Sequence, residues 1–336
     1  MKAIAYSHSE SNSPSALIDC ELPKPVPVGH DLQVHIKAIS VNPVDCKIYQ
    51  NVNPTKGEQK ILGWDAAGIV SAVGEKVSTY KVGDKVYFAG DLTRPGCNAE
   101  YQCVDERIVG KMPVSLSYSE AAAIPLTAIT AWELLFDRLE LKPTSGASGD
   151  VIMVTGAAGG VGSILTQLAK CLTAAKVIGT ASREESQKWV KSMGADLVVN
   201  HHQSLDLQLK EYGVSSITHV ASLTHTDQHY KNLVELMKPQ SKFALIDDPI
   251  ELDIKVFKRK SISLHWEFMY TRSMFQTEDM GAQQTILNEV SRLIDAGELK
   301  TTLTQHYGKI NAENLSKAHQ RIQKGSMVGK LVLEGF

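Results

Sequence analysis

The spacing of apolar and polar residues changes about one third of the way along the chain. Up to about Ile124, short apolar runs alternate with polar positions and end at turn signals, as in DLQVHIKAIS (31–40) and AAGIVSAVGEKV (66–77). Alternation with a period of two, bounded by glycine-containing turns, is typical of half-buried strands. The first part of the chain is therefore predicted to be mostly β.

From about Gly149 the apolar segments become continuous and are separated by helical patterns. Six of them have the length and composition of buried strands: VIMVT, KVIGTAS, ADLVVN, SITHVAS, KFALID and SISLHW. Continuous apolar strands that alternate with helices are typical of a parallel sheet covered on both faces. This pattern predicts an α/β fold with a doubly wound parallel sheet.

After about Arg272 the pattern changes again. An amphipathic helix is predicted within MGAQQTILNEVSRLIDAG, ending at Gly297. A second helix is predicted to begin after Asn311, its N-cap, and to end at Gly325. The segment KLVLEGF is predicted to form a last strand. We therefore divide the chain into residues 1–124, 125–272 and 273–336.

A glycine-rich turn lies between the first strand and the first helix of the α/β region, in VIMVTGAAGGVGSILTQLAK (151–170). Glycines that recur every third residue allow a sharp bend, close approach of a pyrophosphate and close packing of helix on strand. The sequence predicts a dinucleotide site here. The GxxGxxG spacing departs from the common GxGxxG, and the alternative is a tight turn without a ligand. The candidate phosphate-binding residues are Gly156, Gly159, Gly160, Val161 and Gly162.

The end of the second strand indicates which dinucleotide is bound. An acidic residue there would hydrogen-bond the ribose hydroxyls of NAD, but this strand ends with Ser182 and Arg183 and no acidic residue precedes them. A hydroxyl and a guanidinium suit a 2′-phosphate, so we expect NADPH. Alternatively, Ser182 and Glu185 form a capping box and Glu184 reaches a ribose. Lys188 either adds charge near the phosphate or is a solvated helix residue.

Composition excludes several classes of protein. The 336 residues carry a formal net charge of −2 and show no basic patch with interleaved aromatic residues, so no nucleic-acid partner is expected. No stretch approaches about 20 apolar residues and no signal peptide is recognisable, so we expect a cytoplasmic protein without a membrane partner. The five cysteines form no CxxC pair and are expected to be thiols.

Several ordered motifs carry a family resemblance over essentially the whole chain. They are SVNPVD, LGWDAAGIVSAVG, VGDKVYF, AAAIPLTAITAWELL, VTGAAGGVG, MGADLVVNH and GSMVGKLVL. Their order resembles the medium-chain dehydrogenase/reductase superfamily, and most closely its zinc-independent quinone oxidoreductase branch, which includes the zinc-type alcohol dehydrogenase-like proteins. The resemblance implies a GroES-like β-rich catalytic domain, made from both ends of the chain, and a central Rossmann domain.

The resemblance also implies that both zinc ions of the alcohol dehydrogenases are absent. Where those enzymes supply a cysteine, a histidine and a third ligand, this chain has Asn42 in NPVD, Trp64 in GWD and the segment IPLT. The region of the structural zinc site has two cysteines at a wrong spacing. His225 and His229, predicted to lie four residues apart on one helix, could chelate a metal, but the glutamate of HExxH is missing. We expect no metal site.

The active-site wall of the family corresponds to the segment that contains Asn42, Asp45, Lys47 and Tyr49, and Trp64 is expected to line the pocket. Related quinone oxidoreductases often carry a tyrosine at the position of Lys47, so a tyrosine role does not carry over directly. The hypothesis is that Lys47 or Tyr49 donates a proton to the substrate carbonyl. The alternative is that both are solvated or structural.

Three further residues are expected at the cofactor. Thr127 matches a threonine that contacts the nicotinamide end, Asn200 follows the third strand near the adenosine, and Phe268 packs on nicotinamide or substrate unless it is a core residue. The resemblance also implies a homodimer.

The expected function is NADPH-dependent, zinc-independent hydride transfer to a quinone or an α,β-unsaturated carbonyl. Without a Lewis acid, a substrate whose negative charge spreads over a conjugated system is easier to reduce than a simple carbonyl. The alternatives are a non-catalytic NADPH-binding sensor similar to crystallins, and a zinc-dependent alcohol dehydrogenase with atypical ligands.

Overall fold

The structure is a computed structural model that describes residues 1–11, 13–143 and 149–336. The chain forms two compact units. The terminal unit consists of Met1–Ile129 and Tyr270–Phe336, and the central unit consists of Thr130–Met269. Each unit contains its own sheets, so each is described by itself.

The strands are β1 (Lys2–Ser7), β2 (Ile18–Glu21), β3 (Asp31–Ser40), β4 (Gln59–Ile61), β5 (Ala66–Val73), β6 (Lys85–Phe88), β7 (Tyr101–Asp105), β8 (Val109–Lys111), β9 (Val151–Val154), β10 (Lys176–Thr180), β11 (Leu197–Val199), β12 (Ile217–Ser222), β13 (Met237–Leu245), β14 (Ser263–Trp266), β15 (Leu303–His306) and β16 (Lys330–Glu334). The α-helices are α1 (Pro43–Asn51), α2 (Tyr118–Ala122), α3 (Pro125–Trp132), α4 (Gly160–Leu172), α5 (Glu184–Ser192), α6 (Leu205–Glu211), α7 (Thr226–Leu236), α8 (Lys255–Lys258), α9 (Thr271–Met274), α10 (Ala282–Asp295) and α11 (Ala312–Gln323). A 3-10 turn covers Glu106–Ile108 and a π-helical segment covers Glu133–Arg138.

The terminal unit is β-rich, as predicted. Within the described ranges, its larger sheet has the order β15-β16-β3-β5-β6-β8, with β7 also paired to β3, and its smaller sheet has the order β2-β1-β4. The pairs are antiparallel except for β15 with β16. Strand β16, from the end of the chain, therefore joins the sheet built by strands β3 to β8 of the first part of the chain, apart from β4.

The helices predicted after Arg272 are confirmed. Helix α10 ends before Gly297, which has a φ of 76°. Helix α11 begins after Asn311, whose side chain accepts a hydrogen bond from the N–H of Asn314 at 2.8 Å. This contact is the N-cap that the sequence predicts, because an Asn side chain can satisfy a backbone donor left open at a helix start.

The central unit contains the predicted doubly wound parallel sheet. Its order in the described part of the chain is β11-β10-β9-β12-β13-β14, and every neighbouring pair is parallel. Apolar side chains pack on the sheet, among them Met153, Ile178, Val220 and Phe243, each fully buried. Because all six strands run in one direction, their carboxyl ends lie at one edge, where the connections to the following helices begin.

One buried ion pair connects distant parts of the terminal unit. The ammonium of Lys330, at the start of β16, lies 2.9 Å from Oδ2 of Asp65, which directly precedes β5. The two side chains are 4% and 0% exposed. The other carboxylate oxygen of Asp65 accepts from the N–H of Leu126 at 3.0 Å, in the first turn of α3. Asp65 thus joins the last strand, β5 and α3.

No helix among the described residues has both the length and the apolar character needed to cross a membrane.

Replacing Lys330 with Met is expected to lower the free energy of unfolding by about 3–5 kcal/mol, because the Asp65 carboxylate loses its counter-ion in a buried position. Urea denaturation of the parent and the variant measures this loss. The control is Lys317→Met, because Lys317 pairs with Glu313 at 2.6 Å on an exposed face of α11. The control is expected to lose less than about 1 kcal/mol. Similar small losses in both variants would show that the buried pair does not hold the unit together.

Candidate functional site

The glycine turn between β9 and α4 has the geometry of a close-approach site. Gly156 has a φ of +62°, a conformation that glycine adopts without strain. A Cβ on Gly156 would lie 2.8 Å from Cγ2 of Thr224, and a Cβ on Gly162 would lie 2.6 Å from Cα of Ala157. Both positions therefore exclude a side chain. Gly156 packs against the loop after β12, and Gly162 packs α4 against the turn itself.

The start of α4 offers backbone donors without a side-chain cap. Gly159 is the N-cap, with φ −72° and ψ 179°, and makes no side-chain cap hydrogen bond. The first N–H groups of a helix have no partner within the helix, and the positive end of its dipole favours an anion. The residues Gly159, Gly160 and Val161 are half-buried, so their backbone remains accessible. These features fit the pyrophosphate of a dinucleotide.

The end of the second strand of this sheet, β10, lies beside the end of β11. Thr180 pairs with Val199, and the N–H of Ala181 donates to the carbonyl of Val199 at 2.9 Å. Ser182 and Asn200 each directly follow one of these residues. The fold thus brings Ser182, Arg183 and Asn200 to the carboxyl edge of the sheet that also carries the glycine turn.

The capping box proposed for Ser182 and Glu185 is wrong. The chain stays extended through Arg183, with φ −95° and ψ 146°, so Arg183 is the N-cap and α5 begins one residue later. The hydroxyl of Ser186 donates to the carbonyl of Arg183 at 2.8 Å. Ser182 lies outside the cap and is half-buried, and Arg183 is exposed.

One acidic residue of this segment, Glu184, forms an ion pair within α5. Glu184 pairs with Lys188 at 2.6 Å, with both side chains more than 70% exposed. Lys188 is therefore an exposed helix residue that neutralises Glu184. Arg183 places an exposed cationic side chain at the end of β10.

Asn42 and Asp45 belong to a buried polar cluster in the terminal unit. Asp45 accepts from the backbone N–H of Asn42 at 2.5 Å, across the first turn of α1. The amide oxygen of Asn42 accepts from Lys330, and its amide nitrogen donates to Asp65 at 3.1 Å. Both polar atoms of the Asn42 side-chain amide are thus hydrogen-bonded. These bonds fix the start of α1 against the Lys330–Asp65 ion pair.

Asp45 is the member of this cluster whose hydrogen bonding is incomplete. Its side chain is 1% exposed, and its Oδ1 has no hydrogen-bond partner among the described residues. Burial raises the pKa of Asp45 to about 7, against the opposing effects of the Asn42 N–H and of Lys330. The protonated and ionised forms of Asp45 are therefore close in free energy near neutral pH.

The structure does not bring the other predicted wall residues into this cluster. Lys47 is exposed on α1. The hydroxyl of Tyr49 donates to the carbonyl of Ser15 at 2.9 Å, and its ring contacts that of His319. Trp64 is fully buried, and its indole N–H donates to the carbonyl of Asp91 at 3.1 Å. Tyr49 and Trp64 are thus bonded within the terminal unit.

Thr127 and Phe268 occupy different environments. Thr127 is buried in α3 and its hydroxyl donates to the carbonyl of Ile124 at 3.0 Å. Phe268 follows β14 and is 47% exposed. Their predicted contacts with the cofactor stay predictions.

Sequence reasoning missed Asp65 and Lys330. Both stand in apolar segments, GWDAAGIV and MVGKLVL, where a charged residue has to be paired if the segment is buried. That signal could have indicated a buried charge at each position. It could not have shown that the two charges meet, because 265 residues separate them.

The residues at the zinc positions of the family do not fit a zinc ion. The oxygen of Asn42 is bound to Lys330, and Trp64 presents a hydrogen-bond donor. Burial raises the pKa of the neighbouring thiol of Cys46 to about 12, which keeps this potential ligand protonated. The described residues include no group of three or more His, Cys, Asp or Glu side chains suited to hold a metal ion.

The predicted pair of histidines on one helix is wrong. Helix α7 begins at Thr226, and His225 is its N-cap in the left-handed conformation, with φ 51°. His225 and His229 therefore do not form the chelating pair that two positions on one helix face would give.

Replacing Asp45 with Asn is expected to stabilise the protein more at pH 8 than at pH 5. The pKa of Asp45 is raised in the folded state, so the folded protein favours the protonated carboxyl. The parent protein therefore loses unfolding free energy as the pH rises through about 7. The Asn variant keeps the acceptor for Asn42 and does not ionise. Urea denaturation at both pH values measures the difference in unfolding free energy between variant and parent. A difference that does not change with pH would contradict this assignment.

Comparisons with known proteins agree with this architecture. Residues 29–114 match the alcohol dehydrogenase GroES-like domain, and residues 193–333 match the family described as zinc-binding dehydrogenase. A zinc-type alcohol dehydrogenase-like protein of Staphylococcus epidermidis is 36% identical over 336 residues, which cover 99% of each chain. A quinone oxidoreductase of Lama guanicoe is 27% identical over 340 residues, which cover 99% of this chain and 97% of the relative.

A solved structure is similar over its whole length. The crystal structure of a protein of Rhizobium etli CFN 42, provisionally named a zinc-dependent alcohol dehydrogenase, is 50% identical, with a TM-score of 0.95. It covers 100% of this chain and 98% of its own. With its GroES-like domain, its parallel nucleotide-binding-type sheet and these relatives, the chain belongs to the medium-chain dehydrogenase/reductase superfamily of oxidoreductases, in the branch of the zinc-type alcohol dehydrogenase-like proteins and quinone oxidoreductases.

Proposed function

We propose that this oxidoreductase uses NADPH to reduce a quinone or an α,β-unsaturated carbonyl without a catalytic zinc ion. The observation that carries the proposal is the carboxyl edge of the central sheet. It combines a glycine turn with an uncapped helix start, and Ser182 and Arg183 follow the adjacent strand. This combination suits the three phosphates of NADPH better than the two of NADH.

The choice of NADPH rests on the charges near Arg183. An acidic residue that accepts from the ribose hydroxyls is the usual feature of NAD sites. Here Ser182 and Arg183 follow β10 in place of an acidic residue, and the next residue, Glu184, is paired with Lys188. A guanidinium can make two parallel hydrogen bonds to a phosphate, and such charge-assisted contacts are about twice as strong as neutral ones.

The proposed substrate class is based on the side chains of the terminal unit that stand at the metal-ligand positions of the family. When bound, NADPH supplies the hydride. Because Asn42 and Trp64 are hydrogen-bonded within the protein, these two positions offer no ligands to a Lewis acid that would stabilise a localised alkoxide. Conjugated acceptors need less stabilisation, since their negative charge is delocalised over an enolate or a hydroquinone anion.

The side chains of α1 have two different roles in this proposal. Asn42, with Asp65 and Lys330, fixes the first turn of α1 and therefore acts as a positioning residue. Lys47, exposed on the same helix, is the proposed donor to the substrate carbonyl. Tyr49 is less suited to this role because its hydroxyl is bonded to Ser15.

The relative named as zinc-type and the structure named as zinc-dependent favour a second candidate, a zinc alcohol dehydrogenase with atypical ligands. Elemental analysis of the purified protein separates the two. Stoichiometric zinc would favour the second candidate if a chelator removes both the zinc and the alcohol oxidation activity. Turnover with quinones or enals in metal-free protein would favour the first.

We also propose a cytoplasmic homodimer. Strand β14 lies at one end of the described sheet order, and Trp266 at its end is 54% exposed. An exposed strand edge can pair with its symmetry copy across a twofold axis.

NADPH is expected to bind at least about 10-fold more tightly than NADH. This ratio of affinities is the contribution expected from one charge-assisted hydrogen bond to the 2′-phosphate. Arg183→Gln is expected to remove most of this preference by weakening NADPH alone. Isothermal titration calorimetry measures both affinities. The control is Lys317→Gln, because Lys317 pairs with Glu313 on an exposed face of α11 in the terminal unit. A folded protein that takes up neither nucleotide would refute the proposed function.

Lys47→Met is expected to slow single-turnover hydride transfer to an enal or quinone by about 100-fold, the contribution of a positioned acid. Tyr49→Phe is expected to stay near the parent rate, because its hydroxyl contacts Ser15. Stopped-flow measurement of NADPH oxidation gives both rates. An unchanged rate in both variants would leave the proton to the solvent, and a loss confined to Tyr49→Phe would reverse the assignment.

A further inference from the structure

Four histidines form a cluster at the carboxyl edge of the central sheet. His201 and His202 follow β11, while His225 and His229 lie at the start of α7. The ring centroids of His201 and His202 are 4.5 Å apart, and those of His201 and His229 are 5.8 Å apart. His201 and His229 are half-buried, whereas His202 and His225 are exposed. We call this set the histidine cluster.

The histidine cluster reaches from the second strand of the nucleotide site to the glycine turn. At one end, His201 lies two residues after Val199, which pairs with Thr180 just before Ser182 and Arg183. At the other end, Nδ1 of His225 lies 2.7 Å from the hydroxyl of Thr224. Thr224 is the residue that a Cβ on Gly156 would meet.

The charges around His201 favour its neutral form in the protein alone. Burial lowers the pKa of His201, and the nearby His202, His229 and His225 lower it further, because imidazolium groups repel one another. Burial likewise lowers the pKa of His229, followed by His225, while Asp227 opposes this effect. Such a group of cations needs an anion before several of its members can be protonated together.

Other charged groups lie at the ends of the surrounding elements. Asp247, after β13, accepts from the N–H of Thr226 at 2.9 Å and is thus bonded to the start of α7. Asp227 lies in the first turn of α7, and Arg183 precedes α5. Among the described residues the cluster has no arrangement suited to a metal ion. Its chemistry fits a polyvalent anion that imidazolium groups can bind.

We propose that the histidine cluster is a proton-linked binding site for the adenosine 2′-phosphate of NADPH. The cluster takes up one or more protons from solvent as the phosphate binds, and the imidazolium groups then add to the charge of Arg183. This inference rests on the proposed function, since it assumes that the nucleotide lies along this edge of the sheet.

The sign of the pH dependence follows from linkage. A dianion raises the pKa of the histidines it contacts, so the complex holds more protons than the free protein. NADPH affinity therefore increases as the pH falls below the pKa that these histidines have in the complex. NADH lacks the 2′-phosphate and is not expected to share this dependence. The phosphate itself takes up a proton near pH 6, so the useful range lies above about pH 6.5.

The experiment is calorimetric titration of the full-length protein with NADPH and with NADH between about pH 6.5 and pH 8.5. NADPH affinity is expected to weaken by about 10-fold or more over this range, as for at least one linked proton, and NADH affinity by less than about 2-fold. Titrations in two buffers of different ionisation enthalpy count the protons directly.

Variants separate the cluster from the rest of the site. His201→Asn and His229→Asn are expected to flatten the pH dependence of NADPH binding and to leave NADH binding unchanged. His201→Arg places a permanent cation in the cluster, so it is expected to keep high NADPH affinity at pH 8.5. The control is His306→Asn, a histidine of the terminal unit with a side chain 44% exposed.

The outcomes distinguish the two proposals. If NADPH binds with an affinity that does not change with pH and without proton uptake, this inference is refuted and the proposed function stands. The same conclusion follows if His201→Asn and His306→Asn have the same effect on NADPH binding. If the folded protein binds neither nucleotide at any pH, the proposed function fails. Circular dichroism of each variant confirms that it is folded.

Discussion

The direction of the strands in the central sheet is the constraint on which the candidate cofactor site depends. Because β9 to β14 are all parallel, the loops that follow them start from one edge. The glycine turn, Arg183 and the histidine cluster are up to about 75 residues apart in sequence and still share this edge. A single reversed strand would move one of these groups to the opposite edge, so the site requires the whole topology and not one motif.

In the terminal unit, the corresponding constraint is electrostatic. Lys330 lies at the start of the last strand, and its charge is buried with that of Asp65 and with the polar atoms of Asn42. Buried charges are tolerated when they are paired and hydrogen-bonded, and they then fix geometry more than they add stability. A side-chain cation, the Lys330 ammonium, thus organises the start of α1 through its contact with Asn42.

The sequence predicted most of the fold because the fold depends on local patterns. The six strands of the central unit, helices α10 and α11 and the cap at Asn311 were all readable from periodicity and capping residues. The errors fell at helix starts. The alternative in which Ser182 caps α5 is wrong, because Arg183 is still extended and the helix begins one residue later. His225 was placed inside a helix, but it adopts a left-handed conformation that precedes α7.

The candidate site was less predictable because its important contacts are long-range. The glycine turn and Arg183 carry their chemistry within a short segment, so their roles could be proposed from sequence. The bonds of Tyr49 to Ser15 and of Trp64 to Asp91 depend on tertiary packing, and no local signal indicates them. The same holds for the meeting of His201 with His229, which lie 28 residues apart.

The two kinds of cation at the edge of the central sheet have different consequences for the protein without a ligand. A guanidinium stays charged at any physiological pH, so its burial would be costly, and Arg183 is exposed. An imidazole can lose its charge, so it can be packed against other imidazoles in a half-buried position without a counter-ion. Four arginines could not be packed in the same way. A histidine cluster thus allows a site to hold a phosphate with several positive charges while avoiding their repulsion when the phosphate is absent.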